Sequence, residues 1–192
     1  MANRISVRNV DAGYGAVRVL HRLSIEVTEG ETVVLLGTNG NGKSTLMKCI
    51  MGMVRPDTGE ISLERDGQRI ELVGKSPEEI VNLGITLVPE GRRLFPKLTV
   101  EENLVLGAYR TEARKDIERN LGFCFEAFPV LTQRKKQLAG SMRGAHLRRG
   151  RALHVALNLS AGPGALPARP PQHVRDLHRA RRLVRVQPER HG

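Results

Sequence analysis

A glycine-rich octapeptide at residues 37–44 constrains the fold of this chain more than any other feature of the sequence. It reads Gly-Thr-Asn-Gly-Asn-Gly-Lys-Ser and fits the phosphate-loop (Walker A) pattern G-x-x-x-x-G-K-[ST]. The apolar run Val33–Leu36 before it is typical of a strand buried on both faces of a sheet. The segment LMKCIMGMV at residues 46–54 has the apolar spacing of a buried helix. The sequence therefore predicts an α/β fold built on a strand, a phosphate loop and a helix.

The loop also predicts where a nucleotide binds. Glycines let the backbone curl so that successive N–H groups point at an anion, and the helix that begins near Lys43 adds the positive end of its dipole. Lys43 is expected to reach the β- and γ-phosphates, and the Ser44 hydroxyl to take one position on Mg²⁺. The predicted cofactors are therefore ATP and Mg²⁺. The residues expected to bind ATP are Gly37, Thr38, Asn39, Gly40, Asn41, Gly42, Lys43, Ser44 and Thr45.

Strand and turn signals flank the loop on both sides. Alternating apolar residues predict strands at residues 5–10 and 23–27, with a turn at residues 11–15 between them. The pair Asp66 and Gly67 predicts the turn of a later hairpin. A turn at residues 55–59 is expected to end the helix that follows the loop.

Helix signals dominate from residue 76 onward. Ser76, followed by a proline and two acids, predicts a helix start, and Gly84 predicts its end. Thr99 and Glu102 form a capping box, which predicts a second helical stretch that continues to about residue 131. These helices form the arm of the predicted domain.

Charge divides the chain at about residue 143. The net charge is +11, but residues 1–142 carry only +2, whereas residues 143–192 carry +9. The basic part contains no Lys, Ile, Thr, Phe, Tyr, Met or Cys and is rich in Arg, Ala and Pro, a composition that does not build a packed core. We therefore expect residues 143–192 to be a disordered or non-native tail.

The remaining bulk features are those of a cytoplasmic protein. No apolar run reaches the length of about 20 residues that a membrane helix needs, so direct membrane insertion is not expected. The first ten residues lack the apolar stretch of a signal peptide. Cys49 and Cys124 are expected to be free thiols, since two cysteines supply neither a disulfide framework nor a four-ligand metal site.

The flanks of the loop resemble a known family. The segment VRNVDAGYGAVRVLHRLSIEVTEGETVVLLGTNGNGKSTLMKCIMGMVRPDTGEISLERDG resembles the N-terminal half of ABC ATPases. Within that family, LGITLVPEGRRLFPKLTVEENLVLGAYR resembles the smaller ATPase of branched-chain amino acid (high-affinity leucine-type) importers. The resemblance covers residues 1–142 and implies a P-loop NTPase core with an antiparallel β subdomain and a helical arm.

The resemblance also implies function and partners. Family members hydrolyse ATP to drive import, working as a dimer of ATPase subunits on a membrane permease served by a periplasmic binding protein. They are cytoplasmic and lie peripherally on the inner face of the plasma membrane. The sequence leaves open which amino acid is carried, because substrate choice lies in other subunits.

Two further residues and one segment gain expected roles from the resemblance. Tyr14 matches the aromatic residue that stacks on adenine. Glu90 stands where most members carry the glutamine that senses Mg²⁺ and the γ-phosphate, so it is a tentative Mg²⁺ ligand. The segment from Arg92 to Leu98 matches the surface that meets the coupling helix of the membrane subunit. Phe95 and Pro96 are expected to be its exposed apolar contacts.

The resemblance stops after Met142. The LSGGEQ-type signature, the apolar run that ends in Asp-Glu, and the switch histidine all lack equivalents in residues 143–192; Asp176 lies among arginines and does not replace them. The nucleotide-binding domain is thus predicted to be incomplete, truncated before the Walker B strand. An altered reading frame near codon 143 would explain the change. We expect the chain to bind ATP but to be deficient in hydrolysis on its own.

Two other function classes remain open at this stage. A small-molecule kinase with a phosphate loop would need an acceptor-binding lid, which the sequence does not show. A non-transporting, arginine-rich P-loop protein could bind nucleic acid through residues 143–192, with an affinity that falls steeply with salt. That segment has no Phe, Tyr or Trp on which bases could stack, so nucleic acid is not the expected partner.

Overall fold

The computed structural model describes residues 3–88, 94–108, 111–142, 155–157 and 182–185. The chain divides into two compact units. The first unit contains the described residues up to Leu87 together with 155–157 and 182–185, and the second contains the described residues from Val88 to Met142. Tyr109, Arg110, residues 89–93 and most of the basic tail lie outside this description.

The first unit is built mainly from strands. In chain order its elements are β1 (Arg4–Tyr14), β2 (Val17–Thr28), β3 (Val33–Leu36), α1 (Lys43–Ile50), β4 (Thr58–Arg65), β5 (Gln68–Glu71), α2 (Pro77–Asn82), β6 (Ile85–Leu87), β7 (Val155–Leu157) and β8 (Arg182–Arg185). The second unit is helical. Its elements are α3 (Val100–Leu106), α4 (Thr111–Lys115), α5 (Ile117–Ala127), α6 (Pro129–Gln133) and a 3₁₀ turn at Ala139–Ser141.

Four strands of the first unit form an antiparallel sheet in the order β2-β1-β4-β5. Ile5 pairs with Leu63 and Val7 with Ile61 across the β1–β4 ladder, and all four side chains are buried on the same face. The hairpin between β4 and β5 turns at Asp66 and Gly67, both with positive φ, as the sequence predicts. The predicted antiparallel β subdomain is thus confirmed.

The predicted turn at residues 11–15 was placed too early. β1 continues through Tyr14, and the chain turns only at residues 15 and 16. Ala12 is fully buried and pairs with Leu20, while the Asp11 carboxylate accepts a 2.6 Å bond from Thr58 Oγ1. Pairing with neighbouring strands therefore overrides the turn-like local composition.

The helix after the loop is shorter than predicted. It ends at Ile50 rather than near residue 54, because Gly52 adopts a left-handed φ of 69°. The N–H of Met53 donates to the Lys48 carbonyl (2.8 Å) and that of Gly52 to the Cys49 carbonyl (3.1 Å). This pair of bonds is a Schellman motif, which satisfies the last helical carbonyls and reverses the chain.

The core of the first unit lies between the sheet and the helices. Leu46 and Cys49 of α1 pack on buried residues of the sheet, and Ile80 of α2 and Ile85 of β6 complete the cluster. The loop strand β3 is less buried than predicted: its first three residues are half-buried and Leu36 is 42% exposed. β3 pairs in parallel with β8, and β6 pairs antiparallel with β7.

Both sequence-predicted helix starts are confirmed as capping boxes. The Ser76 hydroxyl accepts from the Glu79 N–H, while the Glu79 carboxylate accepts from the Ser76 N–H. Thr99 and Glu102 make the same reciprocal pair at the start of α3. Each box satisfies two backbone donors that an uncapped helix would leave without partners.

The other two backbone N–H donors in the first turn of α3 bond to carbonyl groups that are distant in sequence. The Val100 N–H donates to the Gln137 carbonyl (2.9 Å), and the Glu101 N–H donates to the Lys135 carbonyl (3.1 Å). We call residues 135–140 the strap, because they run antiparallel to residues 96–101 along the start of α3. The beginning of this helix thus depends on a segment far away in sequence.

The long predicted helix beyond residue 99 is interrupted in the structure. One break falls at Phe128, which precedes Pro129 and takes an extended φ of −133° because the proline ring disfavours helical backbone before it. α5 and α6 bury no side chain fully, so the arm exposes apolar residues such as Val130. Across the described ranges, no helix has both the length and the apolar character needed to cross a bilayer.

Candidate functional site

The phosphate loop lies between β3 and α1, as predicted. Gly40 and Gly42 have φ values of 90° and 74°, a conformation that favours glycine. Gly42 is the N-cap of α1, and its carbonyl accepts the first helical bond, from the Leu46 N–H at 2.8 Å. The backbone thus curls immediately before a helix N-terminus, which is the geometry that binds phosphate groups.

Strand β2 packs against the phosphate loop at Gly42. A Cβ atom on Gly42 would lie 2.5 Å from Leu20 Cδ2 and 3.2 Å from Val19 Cγ1, so only glycine fits there without a shift. Leu20 is itself fully buried. The loop motif predicts Gly42 but not these two supporting residues, whose role depends on a contact between distant parts of the chain.

Lys43 closes the loop on itself. Its Nζ donates to the carbonyl oxygens of Gly37 (2.8 Å) and Thr38 (2.7 Å). The Thr38 hydroxyl also donates to Asn41 Oδ1 (3.1 Å). The first turn of α1 contains no acidic residue. The loop therefore combines backbone donors, a helix dipole and one ammonium group, a set that favours an anionic ligand.

Ser44 and Thr45 point in different directions. Ser44 is exposed in the first turn of α1, where its hydroxyl is accessible to a ligand or a metal ion. Thr45 is only 4% exposed and belongs to the buried side of the helix. Asn39 and Gly40 are exposed at the tip of the loop. Of the predicted binding residues, Thr45 alone has a buried side chain, which favours a packing role.

Tyr14 lies beside α1, on the face that carries Ser44. Tyr14 is 48% exposed, and Lys48 Nζ lies 5.4 Å from the centroid of its ring and 3.3 Å from its hydroxyl oxygen. Ser44 and Lys48 are both exposed and four positions apart, so they share one face of the helix. Lys48 was not among the predicted site residues, although its spacing of four from Ser44 could have indicated it.

Cys49 belongs to the core and not to the site. It is 3% exposed and lines a cavity of about 200 Å³ behind α1. Burial, with a smaller contribution from the negative charge of Asp57, raises the pKa of its thiol to about 11. Both cysteines are free, as predicted, and the pKa of Cys124 is also raised by burial.

Of the remaining predicted site residues, only residues 94–98 are described, and they belong to the second unit. Glu90, Arg92 and residue 93 lie outside the described residues. Leu94 and Phe95 are 50% and 59% exposed, and Pro96 is also exposed, so the predicted exposure of Phe95 and Pro96 is confirmed.

Comparison with known proteins gives a consistent family. The profile of the ABC transporter family matches residues 20–162, whereas the sequence alone indicated a resemblance only as far as Met142. The high-affinity branched-chain amino acid transport ATP-binding protein BraG of Pseudomonas aeruginosa is 41% identical over 152 residues, covering 78% of this chain and 63% of its own length. The probable branched-chain amino acid transport ATP-binding protein LivF of Archaeoglobus fulgidus is 30% identical over 135 residues, covering 70% and 55%.

Other relatives are named as ATP-binding proteins of sugar importers. The ribose import ATP-binding protein RbsA of Chromobacterium violaceum is 38% identical over 127 residues, covering 60% of this chain and 24% of its own length.

Among solved structures, an ATP-binding subunit of an ABC transporter matches with 33% identity and a TM-score of 0.55, covering 70% of this chain and 53% of its own length. A nucleotide-free ATP-binding cassette matches with 23% identity and a TM-score of 0.58, covering 73% and 59%. The chain spans less than two thirds of the length of these proteins. The predicted α/β fold class and the predicted resemblance are confirmed.

Proposed function

Because this chain belongs to the ABC transporter family, we propose that it is the ATP-binding subunit of an importer of branched-chain amino acids. The phosphate loop is the observation that supports nucleotide binding. Gly42, which has a left-handed φ and packs against β2, lies next to the N-terminus of α1 and to Lys43, whose ammonium group bonds to the loop. Two relatives named for branched-chain amino acid transport support the substrate class.

The nucleotide part is tested by removing the Lys43 charge. Charge-assisted hydrogen bonds contribute about 1.5–3 kcal/mol, so Lys43→Ala should weaken Mg·ATP binding about 10- to 150-fold. The matched control is Lys75→Ala, which removes the same charge near α2, away from the loop. A fluorescent-nucleotide titration measures both. Equal affinities for wild type and Lys43→Ala would contradict nucleotide binding at this loop.

Tyr14 is proposed to stack on the adenine ring. Its exposed ring beside the Ser44 face of α1 supports this role. Stacking of a base on an aromatic side chain contributes about 1–3 kcal/mol, so Tyr14→Ala should weaken ATP binding while Tyr14→Phe should not. If both variants bind alike, the ring has no part in recognition.

Magnesium is proposed to bind through the Ser44 hydroxyl together with the nucleotide, with Glu90 as a further ligand. The exposed hydroxyl in the first turn of α1 fits a hard cation that keeps several waters and phosphate oxygens. When bound, Mg²⁺ would neutralise charge on the phosphates. Loss of Mg²⁺-dependent tightening of ATP binding in Ser44→Ala, with Mg²⁺-free binding unchanged, tests this assignment.

The chain on its own is proposed not to turn over ATP. The signature, the Asp-Glu pair and the switch histidine of the family have no equivalents after Met142. Removal of a single group from a preorganised site costs about 10²–10³ in rate, and several are missing together. Steady-state phosphate release no faster than that of Lys43→Ala is the expected result. Faster release would show that residues 143–192 supply catalytic groups.

The proposed partners are a second ATPase subunit and the membrane subunits of a permease on the inner face of the plasma membrane, with the chain peripheral and cytoplasmic. Exposed Leu94 and Phe95 support contact through the segment from Arg92 to Leu98. Phe95→Ala should reduce co-purification with solubilised membrane subunits and leave Mg·ATP affinity unchanged. Undiminished co-purification would remove this segment from the interface.

A further inference from the structure

We infer that Asn103 is a positioning residue that holds Phe95 and the backbone of residues 95–99 in place for docking onto a permease helix. The inference deepens the proposed function and rests on it, because it concerns the same contact segment. Asn103 lies in the middle of α3, half-buried, and its side chain bonds to residues 95–99. We call residues 95–99 the docking loop.

Asn103 uses both ends of its amide on the docking loop. Its Oδ1 accepts from the Phe95 N–H at 2.9 Å, and its Nδ2 donates to the Thr99 carbonyl at 2.8 Å and the Phe95 carbonyl at 3.1 Å. The Leu98 carbonyl lies 3.4 Å from the same nitrogen. Only a carboxamide offers an acceptor and two donors at this length, so no other side chain of similar size reproduces the set.

The strap also holds the docking loop through backbone hydrogen bonds. The Ala139 N–H donates to the Leu98 carbonyl (2.9 Å), and the Gly140 N–H donates to the Pro96 carbonyl (3.1 Å). A Cβ on Gly140 would lie 2.8 Å from Pro96 Cβ and 2.9 Å from the Pro96 carbonyl oxygen. At Gly140 the strap therefore approaches Pro96 so closely that only glycine fits without a shift.

These contacts leave Phe95 with a fixed backbone and an exposed ring. Both its N–H and its carbonyl are bound to Asn103, so its ring, 59% exposed, projects from a rigid base. Lys97 is exposed in the same loop and adds a positive charge. Such a surface fits a short permease helix that presents an apolar face beside an acidic side chain. A preformed loop lowers the conformational entropy lost on docking.

The first measurement is amide hydrogen exchange on the full chain. Asn103→Ala should raise the exchange rate of the Phe95 amide about tenfold, because its acceptor is removed. Glu101→Ala, on the same helix but without a side-chain bond to the docking loop among those described, should leave that rate unchanged. An unchanged rate in Asn103→Ala would overturn the inference.

The second measurement is binding to a defined probe, the detergent-solubilised membrane subunits of the branched-chain amino acid importer of Pseudomonas aeruginosa. Asn103→Ala and Asn103→Asp should bind about tenfold more weakly than wild type, and Gly140→Ala, which displaces the loop from the strap side, should weaken binding similarly. Mg·ATP affinity should be unchanged in all three variants, because Asn103 and Gly140 lie outside the nucleotide site.

The outcomes separate this inference from the proposed function. Wild-type binding that both Asn103 variants retain in full would overturn the positioning role while leaving the proposed partner intact. Absence of wild-type binding to the probe would overturn the docking role together with the proposed partner, whatever the exchange data show. Weaker binding combined with faster Phe95 exchange supports the inference.

Discussion

Replacing Gly42 by alanine tests whether the phosphate loop depends on its packing against β2. Two penalties act at this position. A left-handed φ costs a non-glycine residue about 1–2 kcal/mol, and a methyl group forced to within 2.5 Å of Leu20 Cδ2 overpacks a closed contact, at about 1–3 kcal/mol. We therefore expect Gly42→Ala to lower the free energy of unfolding of the first unit by about 2–5 kcal/mol.

Gly40 provides the matched control within the same loop. Its φ is 90°, but a Cβ there meets no atom within 4 Å, so Gly40→Ala carries only the backbone penalty of about 1–2 kcal/mol. The difference between the two variants isolates the contact with β2. In the double variant Gly42→Ala with Leu20→Ala, the clashing methyl group of Leu20 is absent. Its loss of unfolding free energy should therefore be smaller than the sum of the two single losses.

Urea denaturation followed by circular dichroism measures these free energies. Gly42→Ala should shift the midpoint further than Gly40→Ala at an unchanged slope. Equal shifts would refute the idea that β2 supports the loop, and so would a double variant whose loss equals the sum of the single losses.

Three other predictions concern helix caps, pH and thiols. Thr99→Ala should cost about 1 kcal/mol in a thermal melt of the second unit, with Thr99→Ser close to wild type, because serine keeps the hydroxyl that accepts from the Glu102 N–H. The pKa values of Glu79 and Glu102 are lowered, chiefly by the hydrogen bonds they accept from the backbone N–H groups of their caps. Their stabilisation is therefore present above the ordinary glutamate pKa of about 4.3 and should be lost as pH falls below it, a loss that the double Glu→Gln variant should not show in pH-dependent melts. With Ellman's reagent at pH 8, half-buried Cys124 should react in the native chain and Cys49 only after unfolding; early reaction of Cys49 would contradict its burial.

The features that the sequence predicted correctly depend on short stretches of chain. The phosphate loop, the Asp66 and Gly67 turn, the Ser76 cap and the Thr99 capping box are each encoded within a few residues. Glycine, proline and capping side chains act on their own backbone, so their effect does not depend on what packs nearby. The contact of Tyr14 with Lys48 of α1 was not predicted, and the adenine-stacking role of Tyr14 comes only from the family resemblance.

The features that were missed depend on partners distant in sequence. β1 runs past residue 11 because Ala12 pairs with Leu20, and no property of the turn-like peptide itself reveals that partner. The support of Gly42 by β2 and the bonds of Asn103 to the docking loop are likewise visible only once the chain is folded. The half-buried state of β3 depends on which strands flank it, which its apolar run does not specify.

The strap has a consequence for the order in which the protein forms during synthesis. The first-turn donors of α3, Val100 and Glu101, find their acceptors on Gln137 and Lys135, which leave the ribosome only after more than thirty further residues have been added. A seven-residue helix is marginal in water without such support. α3 and the docking loop should therefore remain unfolded on the nascent chain until the strap emerges, and then form together in one step.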